Sequence, residues 1–280
     1  NILPIHIAFI PLLVPPLLYV MSRMQLDRRL VACVLTFGLI TPYMFLPVGF
    51  GGIFLKEVLL ANVEKGGVDI TGLSVMQAMM IPAAGMLFGL LVAILFSYRK
   101  KRVYQLPADN VNDMTVSTYN SKSLLAAGAA VVAASVMQLS HDSMLMFPLV
   151  GLVVSTVSGV VRWKESDDLF TDGMKMMAMI GFIMIAASGF AEVMRETGQI
   201  QTLVDSSVAI IGDSKATAAL LMLLVGLLVT MGIGSSFSTV PIIAAIFVPL
   251  AMQLGFSPLA IVSLVGTAGA LGDAGSPASD

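Results

Sequence analysis

A carboxylate stands in an unusual place near the end of this sequence. The stretch "GTAGALGDAGSPASD" (266–280) continues an apolar run, yet it contains Asp273, Ser276, a proline and Asp280. A charged side chain within a membrane span is costly, so binding a cation or carrying a proton is its default interpretation. The alternative is that Asp273 caps a helix or lies at a membrane interface. Asp280 has less sequence context, because it is the last residue of the chain.

Hydroxyl groups interrupt another apolar run, at "GIGSSFSTVP" (232–241). The hydroxyl-bearing residues are Ser235, Ser236, Ser238 and Thr239 here, and Thr267 in the next apolar run. Hydroxyl oxygens and unwound carbonyls suit a hard cation such as Na⁺, whereas the N-terminus of a half-helix suits an anionic group. We expect a Na⁺ site that involves Ser236, Thr267 and Asp273. The alternative is that these side chains only pack helices together.

A weak internal repeat relates the two ends of the chain. The run "PIHIAFIPLLVPPLL" (4–18) resembles "PIIAAIFVPLAMQL" (241–254), since both are aliphatic runs that open on proline and contain a second one. The segment "TFGLITPYMFLPVGFG" (36–51) resembles "TAGALGDAGSPASD" (267–280), since both begin Thr-x-Gly and reach a proline about ten residues later. The two pairs occur in the same order, so the first copy should contribute to the same site.

Four residues of the first copy are therefore candidate ligands, namely Asn1, His6, Thr36 and Thr41. Asn1 precedes Pro4 where the other copy has its hydroxyl cluster. A histidine facing a cavity suits proton exchange, because its ordinary pKa is near neutral. The alternative for His6 is a hydrogen-bonded core residue.

The composition places these residues in a membrane. Of the 280 residues, 57% are hydrophobic and 11% are charged, with a mean hydropathy of +0.94. A soluble domain has roughly a quarter of its residues charged. A helix needs roughly 20 apolar residues to cross a bilayer. Such runs lie near 3–21, 29–50, 73–97, 123–140, 143–161, 174–193, 216–233, 240–254 and 257–272. We expect an all-α polytopic membrane protein that contacts lipid and no nucleic acid.

Arginine and lysine residues orient these spans. They are concentrated at 22–29, 98–122 and 162–172, which the positive-inside rule assigns to the cytoplasm. The connections 51–72 and 194–215 then lie outside, and Ile200–Gly212 in the second is expected to be a re-entrant or interfacial helix. The first copy of the repeat thus runs from outside to inside, and the second copy runs in the opposite sense.

Inverted repeats predict both a domain division and a mechanism. We expect 1–97 to be part of a first repeat, 98–122 a cytoplasmic loop and 123–280 a second repeat, with each repeat incomplete in this chain. Proline and glycine should break the helices at 41–52, 232–241 and 272–280. Broken helices survive in a bilayer only where protein or a water-filled cavity satisfies the backbone. This combination is typical of secondary transporters.

Other classes of protein fit the sequence less well. The single cysteine, Cys33, excludes a disulfide within the chain, and the 20 methionines have no clustered Cys or His that would indicate copper. An intramembrane aspartyl protease needs a second aspartate that shares a proton with Asp273, and earlier apolar spans contain none. A serine protease motif is also absent, and inverted lobes favour alternating access over a passive channel.

A family resemblance rests on the same segments. The paired "GSSFSTVP" and "GTAGALGDAGSP", with "NILPIHIAFIP" and "TFGLITPYMFLPVGFG", resemble the NhaC-type Na⁺/H⁺ antiporter-like proteins of the ion transporter superfamily. The nearest branch includes proteins described as amino-acid or histidine permeases. The resemblance implies a carrier of the bacterial inner membrane with inverted repeats, each containing a re-entrant hairpin and a discontinuous helix. It also allows a homodimer.

Together these observations predict a transporter and not an enzyme. Na⁺/H⁺ antiport is the first expectation, with Asp273 as the proton-coupling residue and with Na⁺ and H⁺ as coupling ions, without another cofactor. Na⁺- or H⁺-coupled uptake of an amino acid resembling histidine is the alternative, because both activities use the same architecture. The substrate is accordingly a small cation or a small polar molecule.

Overall fold

The chain is helical in every part that the computed structural model describes, which comprises residues 17, 21, 24–99, 121–141, 146–159, 161–211 and 214–276. No strand occurs in these ranges. Five of the helices described there are long and apolar enough to cross a membrane. They correspond to the predicted spans at 29–50, 73–97, 216–233, 240–254 and 257–272, so the prediction of an all-α polytopic membrane protein is confirmed.

The helices follow one another along the chain with short connections. They are α1 (Arg28–Phe45), α2 (the consecutive segments Phe50–Gly52, Ile53–Leu60 and Ala61–Lys65), α3 (Val75–Val92, continued by Ala93–Ser97), α4 (Ser121–His141), α5 (Met146–Val157), α6 (Trp163–Glu196), α7 (Gln199–Ile211), α8 (Lys215–Ile233), α9 (Ser236–Gln253) and α10 (Pro258–Ala270). Ile53–Leu60 and Ala93–Ser97 are π-helical, and the short 3₁₀ turn Asp273–Gly275 follows α10.

Side-chain caps explain where several of these helices begin. Asp27 precedes α1 and accepts a hydrogen bond from the Arg29 N–H at 3.0 Å. Ser74, Ser214 and Ser257 precede α3, α8 and α10, and each hydroxyl accepts a bond from an N–H three residues later. Each cap satisfies an N–H group that has no partner within its own helix.

Two compact units divide the chain. One contains the described residues of 1–104 and 181–280, and the other those of 105–180. In the second unit α4 packs against α5, with Ala134 buried and a β-carbon placed on Gly151 lying 3.7 Å from that of Ala134. The small residues of 124–135 were expected to permit close helix packing, and this contact confirms it.

Helix α9 is the centre of the first unit. It is apolar around its whole circumference, and 67% of it is buried, compared with 6% of α3. Val240 and Val248 are fully enclosed, and α9 contacts α2, α7, α8 and α10. A helix that is hydrophobic on all sides belongs in the interior, whereas the outer face of α3 is left for lipid.

The expected helix breaks are present, but they are shorter than predicted. Between α1 and α2 the break comprises only residues 46–49, where Gly49 has a positive φ of 58°. Between α8 and α9 it comprises only Gly234, with a φ of 78°, and Ser235. Pro42 and Pro241 lie inside helices, because membrane helices tolerate a proline whose freed carbonyl is satisfied nearby.

One predicted connection was wrong. Residues 51–72 were assigned to an exterior loop, yet α2 occupies most of this stretch and its Phe54 and Leu55 are completely buried. The charged residues Lys56 and Glu57 suggested a loop, and they are exposed on the opposite face of the same helix. A helix that is polar on one side and apolar on the other does not produce a continuous apolar run.

Three other segments differ from their predicted bounds. The run 143–161 contains only the 12-residue α5, after which Gly159 adopts a positive φ of 74°. The run 174–193 lies inside the longer α6, so residues of the predicted loop 162–172 are already helical from Trp163 onward. The helix expected within 200–212 is present as α7, and its Ile200 and Val204 are buried in the core that includes α9.

Candidate functional site

Three polar side chains from separate segments meet at the ends of broken helices. The hydroxyl oxygen of Tyr43 lies 3.1 Å from Ser236 Oγ, and the Tyr43 hydroxyl donates to Asp273 Oδ2 at 3.4 Å. The backbone N–H of Ser236 donates to the same carboxylate oxygen at 3.3 Å. Tyr43 and Ser236 are buried, while Asp273 is half-buried. We call these three residues the polar triad.

Tyr43 is held by aromatic rings on three sides. It lies in α1 just before the break at 46–49, and its ring meets Phe50 and Phe54 edge to face with centroid distances of 5.6 and 5.0 Å. Phe237 of α9 contacts both of these phenylalanines. Edge-to-face contacts fix ring orientation, so the break directs the chain back to enclose Tyr43 and fixes its hydroxyl.

Ser236 is the first residue of α9, and its position depends on the preceding break. Gly234 ends α8 in the left-handed conformation, and the extended Ser235 then turns the chain into α9. The side chain of Ser235 does not cap α9; the carboxylate of Asp273 accepts the Ser236 N–H instead. The positive end of the helix dipole favours a negative charge at this place.

The turn that carries Asp273 is attached to α8. A β-carbon on Gly272 would lie 2.6 Å from both the Leu227 carbonyl oxygen and Thr230 Cβ, so the two backbones are in close contact. The Ser276 hydroxyl donates to the Met231 carbonyl at 2.7 Å. Thr230 also donates to the carbonyl of Ala268 at 2.9 Å. Helix α8 therefore supports Asp273 from the side opposite α9.

The other predicted hydroxyl residues lie on regular helices and not on unwound backbone. Thr41 donates to the sulfur of Met86 at 3.5 Å, and Thr239 donates to the carbonyl of Ser235 at 2.9 Å. The hydroxyl oxygens of Ser238 and Thr267 are buried and have no hydrogen-bond partner among the described residues. An unpaired buried hydroxyl costs about 1–3 kcal/mol, so a water or ligand there would be stabilising.

Thr36 lies apart from the polar triad, in a groove between α1 and α3. The groove has a volume of about 390 Å³ and is lined mainly by apolar side chains, with Cys33, Thr36 and Met86 among them. It extends to Ala274, the residue after Asp273. The half-buried carboxylate therefore has open space next to its turn.

Sequence reasoning selected Ser236 and Asp273 but missed Tyr43. The sequence signal was present, since Tyr43 lies in the expected break at 41–52 and a tyrosine hydroxyl in an apolar setting needs a partner. Asn1, His6 and Asp280 lie outside the described residues. The roles assigned to all the predicted site residues remain predictions.

The chemistry of the polar triad is that of oxygen ligands. One carboxylate and two hydroxyls suit a hard monovalent cation or a proton. No group of three or more His, Cys, Asp or Glu side chains able to hold a metal ion occurs in the ranges that the structure describes. Cys33 is a free thiol.

Comparison with known proteins gives matches over most of the chain. The model of the Na⁺/H⁺ antiporter family matches residues 34–280. An "Uncharacterized membrane protein" of Vibrio parahaemolyticus is 59% identical over 281 residues, which is 100% of this chain and 64% of that protein. An "Uncharacterized membrane protein" of Haemophilus influenzae is 50% identical over 289 residues, again 100% of this chain and 64% of the relative.

A third relative has a functional name. The "Putative amino acid transporter YuiF" of Bacillus subtilis is 49% identical over 286 residues, covering 100% of this chain and 64% of that protein. The chain thus spans 64% of the length of the curated relatives it matches. No solved structure matches. The relatives and the apolar helices agree with the prediction of a multi-pass bacterial membrane protein, while the NhaC-type branch remains a prediction. The chain belongs to the Na⁺/H⁺ antiporter family.

Proposed function

We propose that this chain forms the ion-coupling part of a Na⁺/H⁺ antiporter of the bacterial inner membrane, and that Asp273 binds Na⁺ and H⁺ in turn. The observation that supports this proposal is the contact of Asp273 with both Tyr43 and Ser236. A half-buried carboxylate placed where broken helices meet can lose its proton to bind a cation and lose the cation to bind a proton. That competition is the requirement for exchange.

The other predicted ligands extend this proposal. Thr267 precedes Asp273 on α10, and its buried hydroxyl has no partner within the described part of the chain, so a cation or its water can be accommodated there. Alternating access would follow if the repeats 1–97 and 123–280 have opposite orientations and one moves against the other. Asn1, His6, Thr36 and Asp280 would then complete or line the path. Lipid contacts and a homodimer belong to the same proposal.

Transport by the full-length protein in proteoliposomes tests the role of Asp273. Addition of Na⁺ should dissipate an imposed pH gradient, and D273N should abolish this response because an amide neither binds nor releases a proton at neutral pH. D69N is the matched control. Asp69 is exposed in the connection between α2 and α3, and the Thr71 hydroxyl and N–H lower its carboxyl pKa, so it is ionised at neutral pH. Wild-type exchange by D273N would exclude Asp273 as the coupling acid.

Uptake of an amino acid is a second candidate function, and the name of the Bacillus subtilis relative favours it. The N-terminus of α9 presents backbone N–H groups to a carboxylate, which in this structure is that of Asp273. A substrate carboxylate would suit the same helix end. Accumulation of labelled histidine driven by a Na⁺ or H⁺ gradient, without countertransport of Na⁺ against H⁺, would favour this function over antiport.

We also infer that the chain is not an intramembrane protease. An aspartyl protease needs a second carboxylate that shares a proton with the first. The printed partners of Asp273 are a phenol and a backbone N–H, and Ser236 is paired with the phenol of Tyr43 and not with a stronger base. A casein- or peptide-cleavage assay with the reconstituted protein should accordingly give no more product than D273N.

A further inference from the structure

We propose that Tyr43 is a ligand of the transported cation, which binds between Tyr43 Oη, Ser236 Oγ and Asp273 Oδ2. This inference rests on the proposed function, because it names the ion site of that same exchange. It adds a residue that neither the family nor the repeat pattern indicates. Tyr43 belongs to α1, Ser236 to α9 and Asp273 to the turn after α10, so the site joins three membrane-spanning segments.

The spacing of the three oxygens agrees with a coordination shell. Hard cations of this size bind oxygen at about 2.4 Å, and two such ligands at right angles lie about 3.4 Å apart. Tyr43 Oη is 3.1 Å from Ser236 Oγ and 3.4 Å from Asp273 Oδ2. A small inward or outward adjustment would place one cation in contact with all three. The single carboxylate balances the single charge of Na⁺.

The hydrogen bonds of the triad can reverse, which links the cation to the proton. When Asp273 is ionised, the Tyr43 hydroxyl donates to it, as the 3.4 Å contact indicates. When Asp273 is protonated, its own O–H can donate to Tyr43, and Tyr43 can donate to Ser236 at 3.1 Å. When a cation binds, the Tyr43 proton can again turn toward Ser236. Proton and cation therefore compete for the same oxygen, and Tyr43 accommodates either.

The surroundings keep these oxygens in place. Only 1% of Tyr43 and 2% of Ser236 is exposed, and the Tyr43 ring is packed between Phe50 and Phe54. The Ser236 backbone N–H also holds Asp273 Oδ2, so the carboxylate cannot turn away freely. Ligands that are already oriented and shielded from water lose little entropy on binding. Loss of one such oxygen should weaken cation binding more than it slows transport.

A solely structural role for Tyr43 predicts a different result. In that case its hydroxyl would only satisfy its neighbours, and removing it would reduce folding stability without changing the affinity for Na⁺. The variant Y43F tests the difference because it keeps the ring and its edge-to-face contacts. Y98F is the matched control, since Tyr98 lies at the end of α3 and contacts Arg29 through its ring face. S236A removes the second oxygen while keeping the backbone N–H.

The experiment measures the Na⁺ dependence of exchange by the full-length protein in proteoliposomes. Y43F and S236A should each raise the Na⁺ concentration for half-maximal rate by about tenfold, with the maximal rate changed by less than about twofold, and Y98F should resemble wild type. Thermal stabilisation by NaCl relative to choline chloride, measured on the purified protein, should need correspondingly more Na⁺ in both variants. This second measurement does not require antiport.

The outcomes separate this inference from the proposed function. If Y43F retains the wild-type half-saturating Na⁺ concentration in both assays while D273N is inactive, Tyr43 is not a ligand and the coupling role of Asp273 stands. If D273N retains exchange, the proposed function fails. If NaCl stabilises the wild type but Y43F less so, in a protein without Na⁺/H⁺ exchange, the ion site stands and serves another transport reaction.

Discussion

At the scale of single residues, Asp273 has two roles that the sequence presented as alternatives. Its carboxylate accepts the Ser236 N–H and so caps α9, and the same oxygen accepts the Tyr43 hydroxyl. A capping carboxylate at a helix N-terminus is stabilised by the dipole and is therefore well placed to remain charged in a partly dry setting. Capping and ion binding are compatible because the cap fixes the orientation that an ion site needs.

Two substitutions of Asp273 should separate capping from charge. D273N keeps an oxygen acceptor for the Ser236 N–H, so its free energy of unfolding should remain close to wild type. D273A removes the acceptor and should lose about 1 kcal/mol more, the usual cost of deleting an N-cap. Thermal unfolding of the purified protein in one detergent checks this order. Equal stability of the two variants would contradict the capping role, whereas both should have lost exchange.

At the scale of elements, the site depends on the close approach of α8 and α10. The two helices meet through small residues, and a β-carbon added to Gly226 would overlap the Ala268 side chain. Thr230 joins the pair by donating to carbonyls of both helices, Gly226 in its own and Ala268 in its neighbour. Small residues and such hydrogen bonds are the means by which helices associate in lipid. The Asp273 turn is placed by this contact.

Enlarging Gly226 should therefore loosen the α8–α10 contact. G226A should lower the free energy of unfolding by about 1–3 kcal/mol, because the added methyl group forces the helices apart. G232A is the control in the same helix, since a β-carbon there would have no neighbour within 4 Å. Thermal midpoints of the two purified variants provide the measurement. A G226A protein as stable as G232A would show that the helices separate without cost.

The expectations at this scale succeeded where local chemistry decides the structure. Val75–Ser97 matches its predicted span because a long apolar run has few alternatives, and Gly234 ends α8 where the glycine was noticed. Helix α2 was missed because Lys56 and Glu57 divide its apolar face in the sequence. The contact of Tyr43 with Asp273 joins residues 230 positions apart, and no periodicity or spacing encodes such a pair.

At the scale of the whole molecule, the membrane arrangement remains a proposal based on charge. Helix α9 is deeply buried and α3 is mostly exposed, so the described part of the chain has an interior and a lipid-facing helix. The sides on which the connections lie follow from the distribution of arginine and lysine alone. The inverted relation of the two repeats rests on the same assignment.

Cysteine labelling should test that assignment directly. In a background without Cys33 or other cysteines, T197C should react with an impermeant maleimide in intact cells, because 194–215 is expected outside. K164C should react only after the membrane is permeabilised, because 162–172 is expected in the cytoplasm. Both side chains are exposed, so accessibility within the protein does not limit either reaction. Labelling of both from the same side would rule out the opposed orientation of the repeats.

The bond between Asp273 and the main chain of Ser236 has an evolutionary consequence. A backbone amide survives any replacement of the side chain it belongs to, so the negative charge keeps its anchor whatever residue occupies position 236. Descendants of this chain are thus free to vary the neighbouring hydroxyls, and with them the preferred cargo, without rebuilding the place where charge is held. Antiporters and amino-acid carriers can diverge from one scaffold in this way.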